Sequence, residues 1–337
     1  MSEVTATDSA EVTARTHPRA GRSLRQKLSF RNIGAVYVWI GIIVLFSIWV
    51  PEFFLTARTF HAITNQFSIA AILTLALVPP LAAGVFDLSV GAVMGLAGVV
   101  AGMLLGTGAP VWLAVVLALL TGSLVGLLNA LVLYLGIDSF IGTLATGSMI
   151  GAVTIAVSNQ RIMTDGLSGT FASIATTEVF AGIQITFVYV IVLATLMSIV
   201  LTRTVVGRRL YATGFNPVAS RLAGVSVDRV RTLSLVASGT LAAFAGVCLA
   251  ARVEAADPVA GPAYLIPAFS AAFLGATQFG GHRFNAWGAV IAVFMIGTGS
   301  YGLLLAGSPV WAPQLFAGAV LLFAVGATVA GTRRGRG

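Results

Sequence analysis

The 337-residue sequence has one cysteine, one lysine and few charges of either sign. Each shortage closes off a class of function. A single thiol, Cys248, set inside an apolar run, leaves no disulfide framework and no cysteine metal site within the chain. The sole lysine, Lys27, stands in a polar N-terminal stretch and no G-x-x-x-x-G-K-S/T loop occurs, so the chain does not cradle ATP phosphates by that route. His17, His61 and His282 are far apart with no metal-ligand spacing, and there is no G-x-S-x-G nucleophile elbow. Catalysis by this chain has no sequence support. Charged residues make up 9% of the chain, against about a quarter in soluble domains.

What is abundant is apolar. Hydrophobic residues are 58% of the chain, 38 glycines lie outside that count, and mean hydropathy is +0.98. There is too little polar surface to coat a soluble globule, so the sequence reads as an all-α, polytopic membrane protein. Apolar stretches near the length that crosses a bilayer as a helix fall at 33–50, 60–84, 88–106, 110–135, 139–157, 183–202, 232–251, 263–279, 284–305 and 311–330. Residues 1–32 read as a disordered basic tail, 33–330 as the transmembrane domain and 331–337 as a second short tail.

Ten spans put both termini on one face, and basic residues test which, because they accumulate in cytoplasmic loops. With the N-terminus inside, 16 of the 19 basic residues are cytoplasmic, and only Arg58, Arg161 and Arg252 lie outside. The net charge of +8 is thereby a matter of topology and requires no nucleic acid.

Small residues indicate how the helices meet. Gly91, Gly95, Gly98 and Gly102 share one helix face, and Gly122 with Gly126 and Gly147 with Gly151 have the small-xxx-small spacing that lets backbones approach. Gly91-Ala-Val93 recurs as Gly288-Ala-Val290, and Gly108-Ala-Pro-Val-Trp112 as Gly307-Ser-Pro-Val-Trp311, which is the trace expected of an internal duplication or of chance in apolar sequence. Interrupted spans at matching positions of two halves point to a transporter's working region. Here the second span carries Pro79-Pro80 and ends at Asp87, and the eighth carries Pro267 and ends near Arg283. Asp87 and Arg283 are therefore expected at equivalent turns, shaping an inner gate.

Only Asp87 and Asp138 come near the spans, which argues against an ion-coupled carrier. Asp87 also suits a helix cap for Ser89 or Val90. The neutral polar residues Asn65, Gln66, Asn129, Thr143, Thr146, Ser148, Ser300 and Tyr301 either bond helix to helix or, together with Asp87, line a path offering exchangeable hydrogen bonds to a neutral polyhydroxylated solute.

Between Arg203 and Arg231 the connection is patterned. Asn216 as N-cap, Pro217 at the first helical position and Gly224 as terminator predict a short amphipathic helix over 216–224, with Val218, Leu222 and Val225 on one side and Ser220 and Arg221 on others. Ser226 is expected to cap the seventh span. Such a helix either grips a soluble partner or lies on lipid headgroups.

Four runs resemble the permease subunits of ATP-binding-cassette importers for ribose, galactose, xylose and related solutes. Gly84-Val-Phe-Asp-Leu-Ser-Val-Gly91 is similar to the family's G-G-I-D-L-S-V-G, and Ser139 to Thr146 to its P-F-I-x-T-L-G-T. Ala212 to Val225 resembles A-x-G-x-N-x-x-A-A-R-L-x-G-I, and Leu274 to Gly288 the run L-G-G-T-x-x-x-G-G-R-G-x-x-W-G. Departures are Val85, Gly151, His282, Phe284, Ser300 and Tyr301, and the absence of the family's acidic residue after Asn216.

The resemblance implies an inner-membrane permease working as a dimer, homomeric or heteromeric, with ATPase subunits inside and a substrate-binding protein outside. It implies that Asn216, Pro217, Ser220, Arg221, Leu222 and Gly224 belong to the helix that couples to the ATPase. No cofactor is expected on this chain, since ATP and Mg would sit on the ATPase. A stand-alone carrier or facilitator is the competing reading, and a scaffold that transports nothing is a third.

Overall fold

The structure, a computed structural model, describes residues 30–278 and 283–322. Residues 1–29, 279–282 (with His282) and 323–337 lie outside the described residues, and α1 begins three residues inside the expected 1–32 tail. The chain is helical almost throughout: α1 (Phe30–Trp49), α2 (Pro51–Phe54), α3 (Ala57–Ala82), α4 (Val90–Gly106), α5 (Val111–Tyr134), α6 (Ser139–Ser158), α7 (Ser173–Thr176), α8 (Ile185–Arg203), α9 (Val205–Phe215), α10 (Pro217–Leu222), α11 (Val227–Val253), α12 (Leu265–Gln278), α13 (Ala286–Leu305) and α14 (Ala312–Leu322). A two-stranded antiparallel pair, β1 (Glu178–Phe180) and β2 (Ile183–Gln184), is the only sheet among them. Six helices, α3, α5, α6, α8, α11 and α13, are long and apolar enough to cross a membrane. The protein is thus an all-α polytopic membrane protein.

Helices α3 and α11 form the centre. They pack on each other, with α4 and α5 against α11 on one side and α12 and α13 against α3 on the other. α3 is buried nearly all along its second half. By contrast, α5, α6 and α8 turn large apolar side chains outward, including Leu120, Leu124, Leu131, Ile141, Met149 and Leu196. In a membrane that face meets lipid at no hydrophobic cost, so helix association must come from close packing instead.

Glycine supplies it. A Cβ on Gly239 would collide with the carbonyl oxygen of Gly122, and one on Gly126 with that of Leu235, so α5 and α11 touch backbone to backbone. Ser123 and Thr240 add a hydroxyl pair at 2.8 Å across the same seam. The glycine face of α4 is filled in the same way: Gly98 meets α11 at Gly246, while Gly91, Gly95 and Gly102 receive the 256–262 segment. Gly147 packs on Ser89, but Gly151 has nothing within 4 Å, so the spacing on α6 serves only one of its two glycines. Gly239→Val is expected to part α5 from α11 and to destabilise the protein by about 3 kcal/mol or more, because overpacking against backbone has no side chain to yield. A thermal melt of the detergent-purified protein measures it.

Two expectations need correction. α3 runs through Pro79-Pro80 to Ala82, although neither proline can donate within the helix, and the chain breaks only afterwards at 83–89. The seventh apolar stretch begins five residues early, at Val227, and Ser226 occupies its N-cap position without a side-chain cap bond. Two pieces of structure have no counterpart in the sequence reading. One is α9. The other is a cap over the opposite end of the bundle, built from residues 159–184, in which Leu167 and Phe171 are fully buried and Met163 pairs with Ala256.

Candidate functional site

The 83–89 break brings a carboxylate into the protein interior. Gly84 takes φ +75, a left-handed conformation that favours glycine, and turns the chain away from α3. Asp87 follows, fully buried. Its Oδ1 accepts from the Ser89 backbone N–H (3.1 Å) and Ser89 hydroxyl (2.6 Å) and from Asn129 Nδ2 at 3.3 Å; the Ser89 bond read from sequence is present, but Ser89 and not Asp87 is the N-cap of α4. Asn129 Nδ2 also donates to Ser89 Oγ at 2.7 Å. Ser238 of α11, which no motif singled out, lies beside the same carboxylate.

Three buried atoms in this group, Asp87 Oδ2, Asn129 Oδ1 and Ser238 Oγ, make no well-formed hydrogen bond among the described residues, although Ser238 lies close enough to the carboxylate to act as its donor. Buried polar atoms left unpaired cost about 1–3 kcal/mol each, which makes this group the candidate site.

The loop is clamped from α6. The Leu88 N–H donates to Thr143 Oγ1 at 2.9 Å, and the Phe86 N–H to Ser139 Oγ at 3.1 Å. Phe86 then stacks on Phe273 of α12 (centroids 6.4 Å), and Phe273 meets Phe284 edge to face (5.3 Å), so an aromatic chain joins the 83–89 turn to the 283–285 turn.

Both turns rest on α9. A Cβ on Gly214, near the end of α9, would strike the Ala82 carbonyl and come within 3.0 Å of Gly84 N. At the second turn, the Arg283 guanidinium lies 5.5 Å from the centre of the Tyr211 ring, and the Tyr211 hydroxyl donates to Phe284 O at 2.7 Å. Burial pushes that hydroxyl above the ordinary tyrosine range, with Arg283 opposing, so it stays protonated as the bond requires. At the second turn Asn285 is the N-cap, its Oδ1 accepting from the Gly288 N–H at 2.6 Å as α13 starts.

Past Gly214 the chain projects as α10. Asn216 Oδ1 caps it through the Ala219 N–H at 3.0 Å, Pro217 occupies its first turn, and Gly224 follows with φ +81. It spans 217–222, slightly shorter than 216–224. Ser220 is buried and Arg221 pairs with Asp228 at 2.7 Å, whereas Phe215, Val218 and Leu222 are 93%, 65% and 86% exposed. Apolar side chains bared this far on α10 and at the adjoining end of α9 are a contact surface without its contact.

The remaining sequence candidates are dispersed. Asn65 holds the β1–β2 turn at the opposite end, donating to Gly182 O (3.1 Å) and accepting from Gln184 N (3.0 Å), while Arg252 donates to its carbonyl at 2.7 Å. Gln66 and Ser148 are exposed, and Ser148 bonds its own helix at Leu144 O. Thr146 is buried and bonded to Gly142 O. Ser300 is buried on α13 and Tyr301 half-buried beside it. Only Asp87, Asn129 and Thr143 are brought together. Asp138 caps α6 through the Phe140 N–H at 2.9 Å. Among the described residues no group of His, Cys, Asp or Glu could hold a metal.

The class is a membrane transport protein, shown by similarity to known permeases over most of the chain. Residues 59–325 match the family described as "Branched-chain amino acid transport system / permease component", and the chain belongs to that family. It is a permease subunit of an importer in a bacterial-type plasma membrane, and it is not an enzyme. Among curated proteins it is 30% identical to the ribose import permease protein RbsC of Haemophilus influenzae, over 82% of this chain and 84% of that protein. It is 30% identical to the D-allose transport system permease protein AlsC of Escherichia coli (82% and 85%) and 29% identical to the autoinducer 2 import system permease protein LsrD of Yersinia enterocolitica (78% and 81%). No solved structure matches.

Proposed function

We propose that the chain forms the translocation path for a small neutral solute, a monosaccharide or close relative, received from an extracytoplasmic binding protein and driven by ATP hydrolysis on a separate ATPase. The observation that carries this is the backbone contact of Gly84 with Gly214. It links the turn bearing Asp87 to the helix leading directly into the exposed α10, so movement of α10 is felt at a buried polar site.

In this reading α10, with Asn216, Pro217, Ser220, Arg221, Leu222 and Gly224, docks into the ATPase on the cytoplasmic face, and ten spans (residues 33–330) leave the tails 1–32 and 331–337 inside. Asp87, Asn129 and Thr143 belong to the path, with Asp87 and Arg283 at its inner gate. Thr146, Ser300 and Tyr301 extend the path within the bundle. A second permease, identical or a sister chain, completes the assembly, and ATP and Mg belong to the ATPase. Names of the similar permeases, which concern ribose, allose and autoinducer 2, support a polyhydroxylated solute.

The test is uptake into proteoliposomes holding the chain with an ATPase subunit and a substrate-binding protein of the same importer class. Labelled pentoses and hexoses should accumulate only with ATP and binding protein together. Equilibration of solute without ATP would identify a facilitator instead.

A further inference from the structure

Helices α8 and α11 both pack on α3, yet they make little contact with each other. The gap between them is a cleft of about 430 Å³, walled by Leu196 and Val200 of α8 and Leu233 and Ala237 of α11, with Pro79 of α3 also lining it. Helix α9 closes the end nearest α10. Leu196, Val200 and Leu233 are exposed, so the cleft opens sideways, toward the region that lipid fills around a spanning helix.

Its mouth is basic. Arg209 of α9 and Arg229, in the first turn of α11, line the cleft at the level where both spans end. Arg221 with Asp228 is the single ion pair among the described residues, so the neighbouring carboxylate is already engaged and neither Arg209 nor Arg229 has an acidic partner. An apolar slot running along the spans, with two free guanidinium groups at headgroup depth, combines the requirements of an acyl chain and of a phosphate.

We propose that this cleft is a binding site for an anionic glycerophospholipid of the leaflet on the α9–α10 side, its acyl chain between α8 and α11 and its phosphate on Arg209 and Arg229. Charge complementarity selects this occupant over a zwitterionic lipid, since either acyl chain would fit the slot. Neither the transport reading nor any similarity to known permeases enters this assignment.

Native mass spectrometry of the full chain in mild detergent tests it, offering phosphatidylglycerol and phosphatidylcholine of identical acyl chains in competition. The intact chain should retain phosphatidylglycerol roughly 30-fold over phosphatidylcholine, from about fivefold per arginine near a charged surface. Arg209→Gln with Arg229→Gln should erase the preference while keeping some retention of both lipids. Ala237→Phe, which fills the slot and leaves the arginines in place, should reduce retention of both. Ten millimolar glycerol 3-phosphate should displace neither, because a headgroup alone forgoes the apolar contact.

Equal retention of the two lipids by the intact chain overturns the proposal, as does a preference that survives loss of both arginines. Displacement by glycerol 3-phosphate would show a plain phosphate site and also overturn it. So would unchanged lipid retention in Ala237→Phe accompanied by a changed oligomeric mass, the signature of a second copy seated in the cleft. Should the double glutamine variant fail to fold, Arg209→Lys with Arg229→Lys, expected to keep most of the preference, and Ala237→Phe carry the decision.

Discussion

Asp87→Asn is expected to leave the protein folded, with a melting temperature within a few degrees of the parent, and to cut solute uptake at least tenfold. The substitution keeps an acceptor at the Oδ1 position for the two Ser89 donors and Asn129, so the capping bonds that hold the 83–89 turn survive. What changes is the other oxygen. Oδ2 becomes an amide donor, so the buried group loses its charge and an acceptor beside Ser238. Asp87→Ala serves as contrast. It strands the buried Ser89 N–H and hydroxyl at about 1–3 kcal/mol each, while Asn129 Nδ2 keeps Ser89 Oγ, and should lose much of the folded protein. Parental uptake by Asp87→Asn would reduce the carboxylate to a helix cap.

Leu222→Asp should abolish ATP-driven uptake while the permease remains folded in the membrane. Leu222 is almost wholly exposed, so the isolated chain loses little by the change. In a docked state the same position would carry an unpaired carboxylate into a patch formed with Phe215 and Val218, where burial without a partner costs several kcal/mol. Association with the ATPase should weaken at least a hundredfold, read by co-purification, with uptake falling in step. Leu222→Met should restore both. Undiminished uptake in Leu222→Asp would remove α10 from the coupling role.

The helices were legible because their cause is local. Apolar runs, an Asn-Pro start and a glycine stop act within a few residues, and α10 appears one residue inside the predicted start and two inside the predicted end. Asp87 was legible for a related reason, since a carboxylate beside an apolar span is costly and therefore conspicuous. Asn65 was misleading on the same logic. Its amide looked available to a solute, but its partners, Gly182 and Gln184, lie more than a hundred residues away in a hairpin with no apolar periodicity. Ser238 passed unnoticed because a serine in a membrane helix normally bonds its own preceding turn, and nothing local says that this one faces a carboxylate. Helix α9 was missed because its signal is tertiary: glycines at 207 and 214 mean little until Leu201 and Ala82 are known to press on them.

The seam between α5 and α11 has a mechanical meaning for the polar group it overlooks. Asn129 stands one turn beyond Gly126 on α5, and Ser238 is next to Gly239 on α11, so two of the three unpaired atoms are mounted on helices whose backbones are in contact. Those two cannot separate without breaking the backbone packing of α5 on α11. The third atom, Asp87 Oδ2, belongs to a turn held by side-chain bonds and leaning on α9. If α10 is driven as proposed, the α5–α11 pair would be the stator and the Asp87 turn the moving contact, so the partner that Oδ2 finds would be read against a fixed scale.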